Sequence, residues 1–334
     1  MMEEHPTETE EGLILVNKPI GVTPFQLIQQ YLQKHPECKE RKISFAGRLD
    51  PMAHGLMILL AGDHVLRQKE LELKTKEYHF QVLLGFSTDT YDVLGLLDGQ
   101  RQRPSHDEMK KYIRENLLSY VGRYDQPYPP YSAARVDGRA LHEWAKEGKL
   151  SEIQIPSVSV EVFELELLEE TIITTDQLWT QVKDKIDRLG PERSTPQKKK
   201  RKRGLGASAN DFRQTQILQL WSEELERVDV KEHLVLHFKA RVSPGTFIRS
   251  IANRMGKELA CGALAFDIYR TKVGDLSISD AEEMETRETN RSERIDGGPL
   301  ESREGTEEAI EEQARDKRTK MIWFFWLVSA HLDH

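Results

Sequence analysis

Apolar and polar residues alternate from Glu77 to Leu84: Tyr78, Phe80 and Val82 fall on one side, His79, Gln81 and Leu83 on the other. That two-residue period predicts a strand with one face in a core. Val158 to Leu168 alternates in the same way, with Val158, Val160 and Val162 opposite Ser159, Glu161 and Phe163. Leu13–Val16, Ile217–Val228 and His233–Val242 read as further strands. Helices are expected from Thr23, as N-cap, to about Leu32, over His106–Tyr120, and over Thr246–Leu259 capped by Thr246. Leu141, Trp144 and Ala145 mark a short amphipathic helix. Strands and helices mix without a regular βαβ rhythm, which predicts an α+β fold. No internal repeat is apparent.

Charge changes the picture of where a partner could bind. The 334 residues carry a formal net charge of −8, which by itself disfavours a nucleic-acid binder. Its distribution is uneven. Residues 1–11 hold five glutamates and no lysine or arginine, and residues 280–334 hold fifteen acidic against eight basic residues, so 12–279 is left at +4. A mildly basic body between acidic flanks permits a phosphate-binding surface. We therefore expect an acidic flexible N-terminus (1–11), a catalytic domain (12–279) and a charged tail (280–334). Within the domain, about 188–212 reads as a disordered insertion. It holds Lys198-Lys199-Lys200-Arg201-Lys202-Arg203, a run that is a solvated loop, an RNA-backbone contact or an import signal.

Other classes lose ground. Cys38 and Cys261 are too few and too far apart for a disulfide framework. No zinc-ligand spacing, Gly-rich phosphate loop or dinucleotide fingerprint is present. The N-terminus is acidic, unlike a secretion signal. The apolar run Met321–Ala330 is half of the about 20 residues that a bilayer-spanning helix needs, so no membrane partner is expected.

The most informative stretch is Gly47-Arg48-Leu49-Asp50-Pro51-Met52-Ala53-His54-Gly55. Pro51 pushes Asp50 out of the helical region, so a carboxylate is pre-aimed at the mouth of an apolar segment (Leu56 to Ala61). That suits covalent or acid/base chemistry. An Asp-Pro turn that merely starts a helix would read the same.

Further segments separate these readings by resemblance. The chain resembles the TruB-type tRNA pseudouridine synthases, whose catalytic aspartate lies in a Gly-x-Leu-Asp-Pro-x-Ala-x-Gly turn. Val16-Asn17-Lys18-Pro19-Ile20-Gly21-Val22-Thr23 is similar to the family's opening motif. Lys76-Glu77-Tyr78 with Leu84 to Asp92 is similar to its second, Gln126 to Ala133 to its third, and Ser243-Pro244-Gly245-Thr246-Phe247-Ile248-Arg249-Ser250 to its fourth. The matches keep the family's order over about residues 13–275.

The resemblance implies a pseudouridine synthase fold, a mixed and mostly antiparallel sheet flanked by helices and loops. It implies conversion of uridine to pseudouridine in tRNA, at position 55 of the T-loop, by base flipping and without cofactor or metal. Asp50 is the implied essential carboxylate, as nucleophile or as the base that promotes glycal formation. Arg249 takes the position of the cation that keeps it charged, with a guanidinium able to hold both carboxylate oxygens. Tyr78 matches the tyrosine that stacks on the target base, and Ile268 the apolar residue that closes the pocket. Phe247 stands in the base-binding segment. Lys18 supports the site from behind or contacts substrate. Gln126 to Glu147 resembles the loop that grips the tRNA T-arm, with Ser132, Ala134, Arg135, Arg139 and Lys146 as contacts and Tyr128 and Tyr131 for stacking. It equally reads as a proline-rich connection. A monomer in the cytoplasm with tRNA as partner is expected.

The pattern also departs from the family. Arg48 replaces a frequent threonine and is found in ribosomal-RNA synthases, Phe45 replaces a frequent histidine, and Phe247 replaces a tyrosine. No C-terminal PUA-type module is evident after about residue 280. Pseudouridylation of another RNA such as rRNA, a non-catalytic RNA-binding or tRNA-folding role, and an acidic-tail scaffold are the alternatives.

Overall fold

The computed structural model describes residues 12–99, 104–190 and 212–284. The first third of the chain forms β1 (Leu13–Lys18), α1 (Pro24–Lys34), β2 (Ile43–Ala46), β3 (His54–Ala61), α2 (Gln68–Glu72) and β4 (Lys76–Leu84). Then come α3 (His106–Asn116), β5 (Gly122–Pro127), β6 (Arg135–Val136), β7 (Arg139–Ala140), α4 (Leu141–Lys146), β8 (Ser157–Thr174) and α5 (Thr175–Asp187). The last part holds α6 (Gln214–Arg227), β9 (Glu232–Val242), α7 (Ile248–Glu258), β10 (Ala263–Val273), β11 (Leu276–Ser277) and β12 (Glu282–Glu283).

One sheet runs in the order β12-β1-β3-β10-β4-β9-β8-β5, with β2 beside β3 and β11 beside β10. Its neighbours are antiparallel except β1 with β12 and β3 with β10. The fold is α+β, as the mixed pattern predicts. Tyr78, Phe80 and Val82 share the core face of β4. Phe80 lies opposite Phe238 of β9 and Ile268 of β10, and the two phenyl rings stack at 5.2 Å. The opposite face of β4 is charged, with Glu77 3.4 Å from Lys239.

The main core fills the apolar face with side chains from α5, α6 and α7. Smaller clusters lie against β1 and β3. One includes Leu27 and Tyr31 of α1, the other Leu71 of α2. Thr23 caps α1 as expected: the Gln26 N–H donates to its hydroxyl at 3.3 Å, and the Gln26 side chain accepts from the Thr23 N–H at 2.9 Å.

Three expectations are corrected. Ile217–Val228 is not a strand; α6 occupies it. Leu218 and Leu220 alternate with Gln219 and imitate a strand over a few residues. Ile217, Trp221 and Leu225 recur every fourth residue and are all buried, and that helical period governs. Second, α7 begins at Ile248, and Thr246 does not cap it. Thr246 instead closes a turn, donating its N–H to the Ser243 carbonyl at 3.4 Å. Phe247 is the N-cap, and its N–H donates to Gln126 Oε1 at 2.8 Å. Third, the alternative in which the Asp-Pro turn merely starts a helix is not met, because a strand, β3, follows the turn.

The sheet continues past residue 279, since β12 pairs with β1. Arg188–Gly190 and Phe212 are the described ends of the expected insertion. The N-terminus 1–11, the basic run 198–203 and the tail beyond 284 lie outside the described residues.

Trp221 is fully buried and its ring lies 5.1 Å from that of Phe86. Trp221→Ala should lower the unfolding free energy by about 3–5 kcal/mol, measured by urea denaturation. A loss below about 1 kcal/mol would place α6 outside the cooperative core.

Candidate active site

The turn that carries Asp50 is held by the backbone on both sides. The Ala53 N–H donates to the Asp50 carbonyl at 3.0 Å, and the Gly21 N–H donates to the Pro51 carbonyl at 2.8 Å. Beneath it Arg270, 1% exposed, donates to the carbonyls of Leu56 (2.8 Å), Gly47 (3.2 Å) and Arg48 (3.4 Å). Gly55 adopts φ +102°, and a Cβ there would stand 2.4 Å from the Arg270 carbonyl. Only glycine lets β3 and β10 approach so closely.

Arg249 comes from the first turn of α7, and its side chain is 3% exposed. Its Nε donates to Asp50 Oδ2 at 2.7 Å, Nη1 to the Thr90 carbonyl at 2.6 Å, and Nη2 to the Tyr131 carbonyl at 3.3 Å. Asp92 Oδ2 lies 3.6 Å from Nε. The guanidinium therefore does not grip both oxygens of Asp50, as its fork geometry would allow. Nη1 and Nη2 turn to backbone carbonyls instead, and Oδ1 of Asp50 has no hydrogen-bond partner among the described residues. The Asp50 side chain is 39% exposed. The result is a carboxylate facing outward, backed by a buried cation.

A charge buried without partners would be costly. Here two carboxylates raise the pKa of Arg249 against the opposing effect of its burial. Asp92 is the second of them. Burial pushes its carboxyl up to about 6, Arg249 opposes that shift, and Asp50 adds to it. The Thr90 hydroxyl and the Leu94 N–H both donate to Asp92 Oδ1, at 2.8 and 3.0 Å. Lys18 is fully buried and donates its amine to the Pro19 carbonyl at 2.9 Å. Burial lowers its pKa to about 7, Asp50 pulls it back up, and Arg270 pushes it down. Lys18 is thus buried within Coulombic reach of Asp50.

Two of the other expected residues lie in the main core. Tyr78 and Ile268, 8% and 4% exposed, belong to the same cluster as Leu49 and Met52, on either side of Asp50. Tyr78 lies opposite Arg270 across the β4–β10 ladder. Phe247 lies edge-on to Tyr128 at 5.8 Å, and its ring centroid is 6.0 Å from the Arg249 guanidinium carbon. In the segment from Gln126 to Glu147, Tyr131 reaches the site through its carbonyl. Arg139 packs over Trp144 at 4.3 Å and pairs with Glu147.

Sequence reasoning passed over three residues. Asp92 lay inside a quoted motif, and its signal was a second carboxylate in a polar run directly after an apolar strand. Gln126 is 2% exposed and fixes Phe247 through the helix cap. Arg270 holds the Asp50 turn; an arginine on a strand that opens with the apolar run Ala263–Phe266 was the available clue. Among the described residues, no three His, Cys, Asp or Glu side chains are placed to share a metal ion.

Known proteins of one family are similar to this chain. The family model described as "TruB family pseudouridylate synthase (N terminal domain)" matches residues 35–178. A Chlamydia trachomatis protein named tRNA pseudouridine synthase B is 30% identical over 82% of this chain and 86% of its own length. A Thermotoga petrophila protein of the same name is 28% identical over 81% of this chain. The match spans just under two thirds of that relative, 66% of its length. Among solved structures, a Cbf5-Nop10-Gar1 complex matches 80% of this chain and 50% of the other, with 16% identity and a TM-score of 0.43.

The folded pKa of Asp92, about 6, stands above the ordinary 3.8. Its contribution to stability is therefore present below about pH 4 and is lost as the pH rises through about 6. Asp92→Asn should gain on the wild type in unfolding free energy between pH 4 and pH 7. A difference between the two proteins that stays constant over that range would contradict the assignment.

Proposed function

The chain belongs to the TruB family of pseudouridylate synthases, and from its site we propose that it isomerises uridine to pseudouridine in tRNA, at position 55 of the T-loop. The observation that carries this reading is the outward-facing Asp50 carboxylate, held by one oxygen on the buried Arg249 at 2.7 Å. The relatives' name supports tRNA as the RNA.

The reaction breaks the bond between ribose C1′ and uracil N1, turns the base, and joins C1′ to C5. The C5 proton leaves to solvent and N1 gains one. Asp50 attacks C1′, or takes the C2′ proton to give a glycal; both roles need an ionised carboxylate. Arg249 sets a buried positive charge beside it and donates a charge-assisted hydrogen bond to one of its oxygens. The target base must leave its stack, which costs a few kcal/mol. Tyr78 offers a replacement face, and Ile268 closes the apolar wall. Phe247 packs but has no hydroxyl to accept the C5 proton, so water or another base does this. The chemistry calls on no cofactor. The segment around Tyr131 and Arg139 would meet the T-arm, and the protein would work as a cytoplasmic monomer. No helix among the described residues is long and apolar enough to cross a membrane.

A second reading is the same chemistry on another RNA. Arg48, exposed beside the Asp50 turn, favours it, because a cation at the mouth reads backbone phosphate without regard to the RNA's identity.

Tritium release from C5-labelled uridine in an unmodified tRNA transcript tests both readings. Wild type should release it and Asp50→Asn should not, while RNA binding stays within roughly tenfold because one carboxylate adds little to phosphate affinity. Release only from a ribosomal RNA transcript would favour the second reading. Release from neither RNA by wild type would sink both.

Arg249→Ala should cost at least about two orders of magnitude in rate. A variant that keeps most of the wild-type rate would remove Arg249 from the site.

A further inference from the structure

β8 and β9 are antiparallel neighbours, and such neighbours are commonly joined by 2–5 residues. Here the connection runs from Thr174 to Glu232 and contains α5 and α6. Both described ends of its central stretch come back to the active-site turn. After α5, the Arg188 carbonyl packs on Gly21, where a Cβ would stand 2.0 Å from it. Gly21 is the residue that donates to the Pro51 carbonyl. Before α6, Arg213 reaches the loops that hold Arg249.

The geometry at Arg213 is specific. Its Nη1 and Nη2 donate to Asp89 Oδ2 and Oδ1 at 2.6 and 3.2 Å. Its guanidinium also stacks over the Tyr131 ring at 4.8 Å. Asp89 Oδ1 accepts from the Leu96 N–H at 2.8 Å, so it is fixed in its own loop. Asp89 directly precedes Thr90, and the Thr90 and Tyr131 carbonyls are the two backbone acceptors of Arg249. One arginine thus fastens together the two loops that supply them. Arg213 adopts φ +58°, in the left-handed region, at the N-cap of α6. A non-glycine residue is disfavoured there, and the Arg213 side chain makes contacts on two sides.

We infer that Arg213 is a positioning residue for catalysis, fixing through Asp89 and Tyr131 the two carbonyls that keep Arg249 in register with Asp50. This inference rests on the reading of Asp50 and Arg249 as the catalytic pair. The mutual geometry of that pair depends on where Thr90 and Tyr131 stand, and small misplacements of a reacting group are expensive in rate. Arg213 then acts on the chemistry through the two loops that hold Arg249.

Single-turnover tritium release from the labelled tRNA transcript tests it, using wild type, Arg213→Ala, Asp89→Asn and the double variant. Arg213→Ala should lower the rate at saturating RNA at least about tenfold, with the half-saturating RNA concentration within about threefold of wild type. Asp89→Asn should do the same, and the double variant should fall no further, because both remove one clamp. Arg213→Lys, which keeps charge without the two-pronged fit, should recover part of the rate. It also stands in if the alanine variant does not fold. A saturating rate within about twofold of wild type overturns the inference. So does an effect confined to RNA affinity, which would make Arg213 an RNA contact.

A second readout needs no turnover. In nitrogen-15 arginine NMR of the free enzyme, solvent exchange of the Arg249 Nε–H should speed up at least about tenfold in Arg213→Ala, because its carbonyl cage loosens. Unchanged exchange overturns the inference. If wild type releases no tritium from any RNA, the functional reading fails, and exchange at Arg249 decides the positioning role on its own.

Discussion

A buried guanidinium needs partners, and much of the site is built from meeting that need. Arg249 is almost fully buried, so each direction of its fork must meet an acceptor. Asp50 supplies one, the Thr90 and Tyr131 carbonyls supply two, and Asp92 stands close by. These partners come from three separate stretches of chain, and Arg249 itself from a fourth. The Asp50 turn, the loop after β4, the segment after β5 and the start of α7 are therefore bound to one point. Asp50 stays the exposed member of the group, with one oxygen held and the other open. On the proposed reading, that asymmetry leaves an open oxygen for the reaction at the ribose.

The charges around this point balance without cancelling. Arg249 faces Asp50 and Asp92, and Lys18 interacts with both Asp50 and Arg270. Burial and Arg270 depress Lys18 to about 7, and burial lifts Asp92 to about 6. Both groups are thus eased toward neutrality near physiological pH, whereas Asp50 reaches solvent and sits on the most firmly charged cation. Arg270 works on the backbone instead. It gathers the carbonyls of Gly47, Arg48 and Leu56, which sets the shape of the turn before substrate arrives.

Much of this was legible in the sequence. The alternation of Tyr78, Phe80 and Val82 marks the strand that forms one wall. Pro51 and the flanking glycines mark the turn. The resemblance brought Asp50 and Arg249 together although 199 positions separate them, a distance that no local pattern spans. The misread parts have local causes. Over Ile217–Val228 a few alternating residues fit two periods, and only the buried Ile217, Trp221 and Leu225 decide for a helix. Thr246 has the chemistry of a cap, but the Ser243 turn holds it elsewhere and Gln126 takes over from another strand. Asp92 and Arg213 were hidden because their roles are relations between distant loops.

The most direct test of this account is a crystal structure of the protein with a tRNA carrying 5-fluorouridine at the target position. The account predicts Asp50 Oδ1 within about 3.5 Å of the ribose C1′ or of its C2′ hydrogen-bearing neighbour, with Oδ2 still on Arg249 Nε and the base against Tyr78. A target nucleotide seated away from Asp50, or an Asp50 released from Arg249 in the complex, would contradict it.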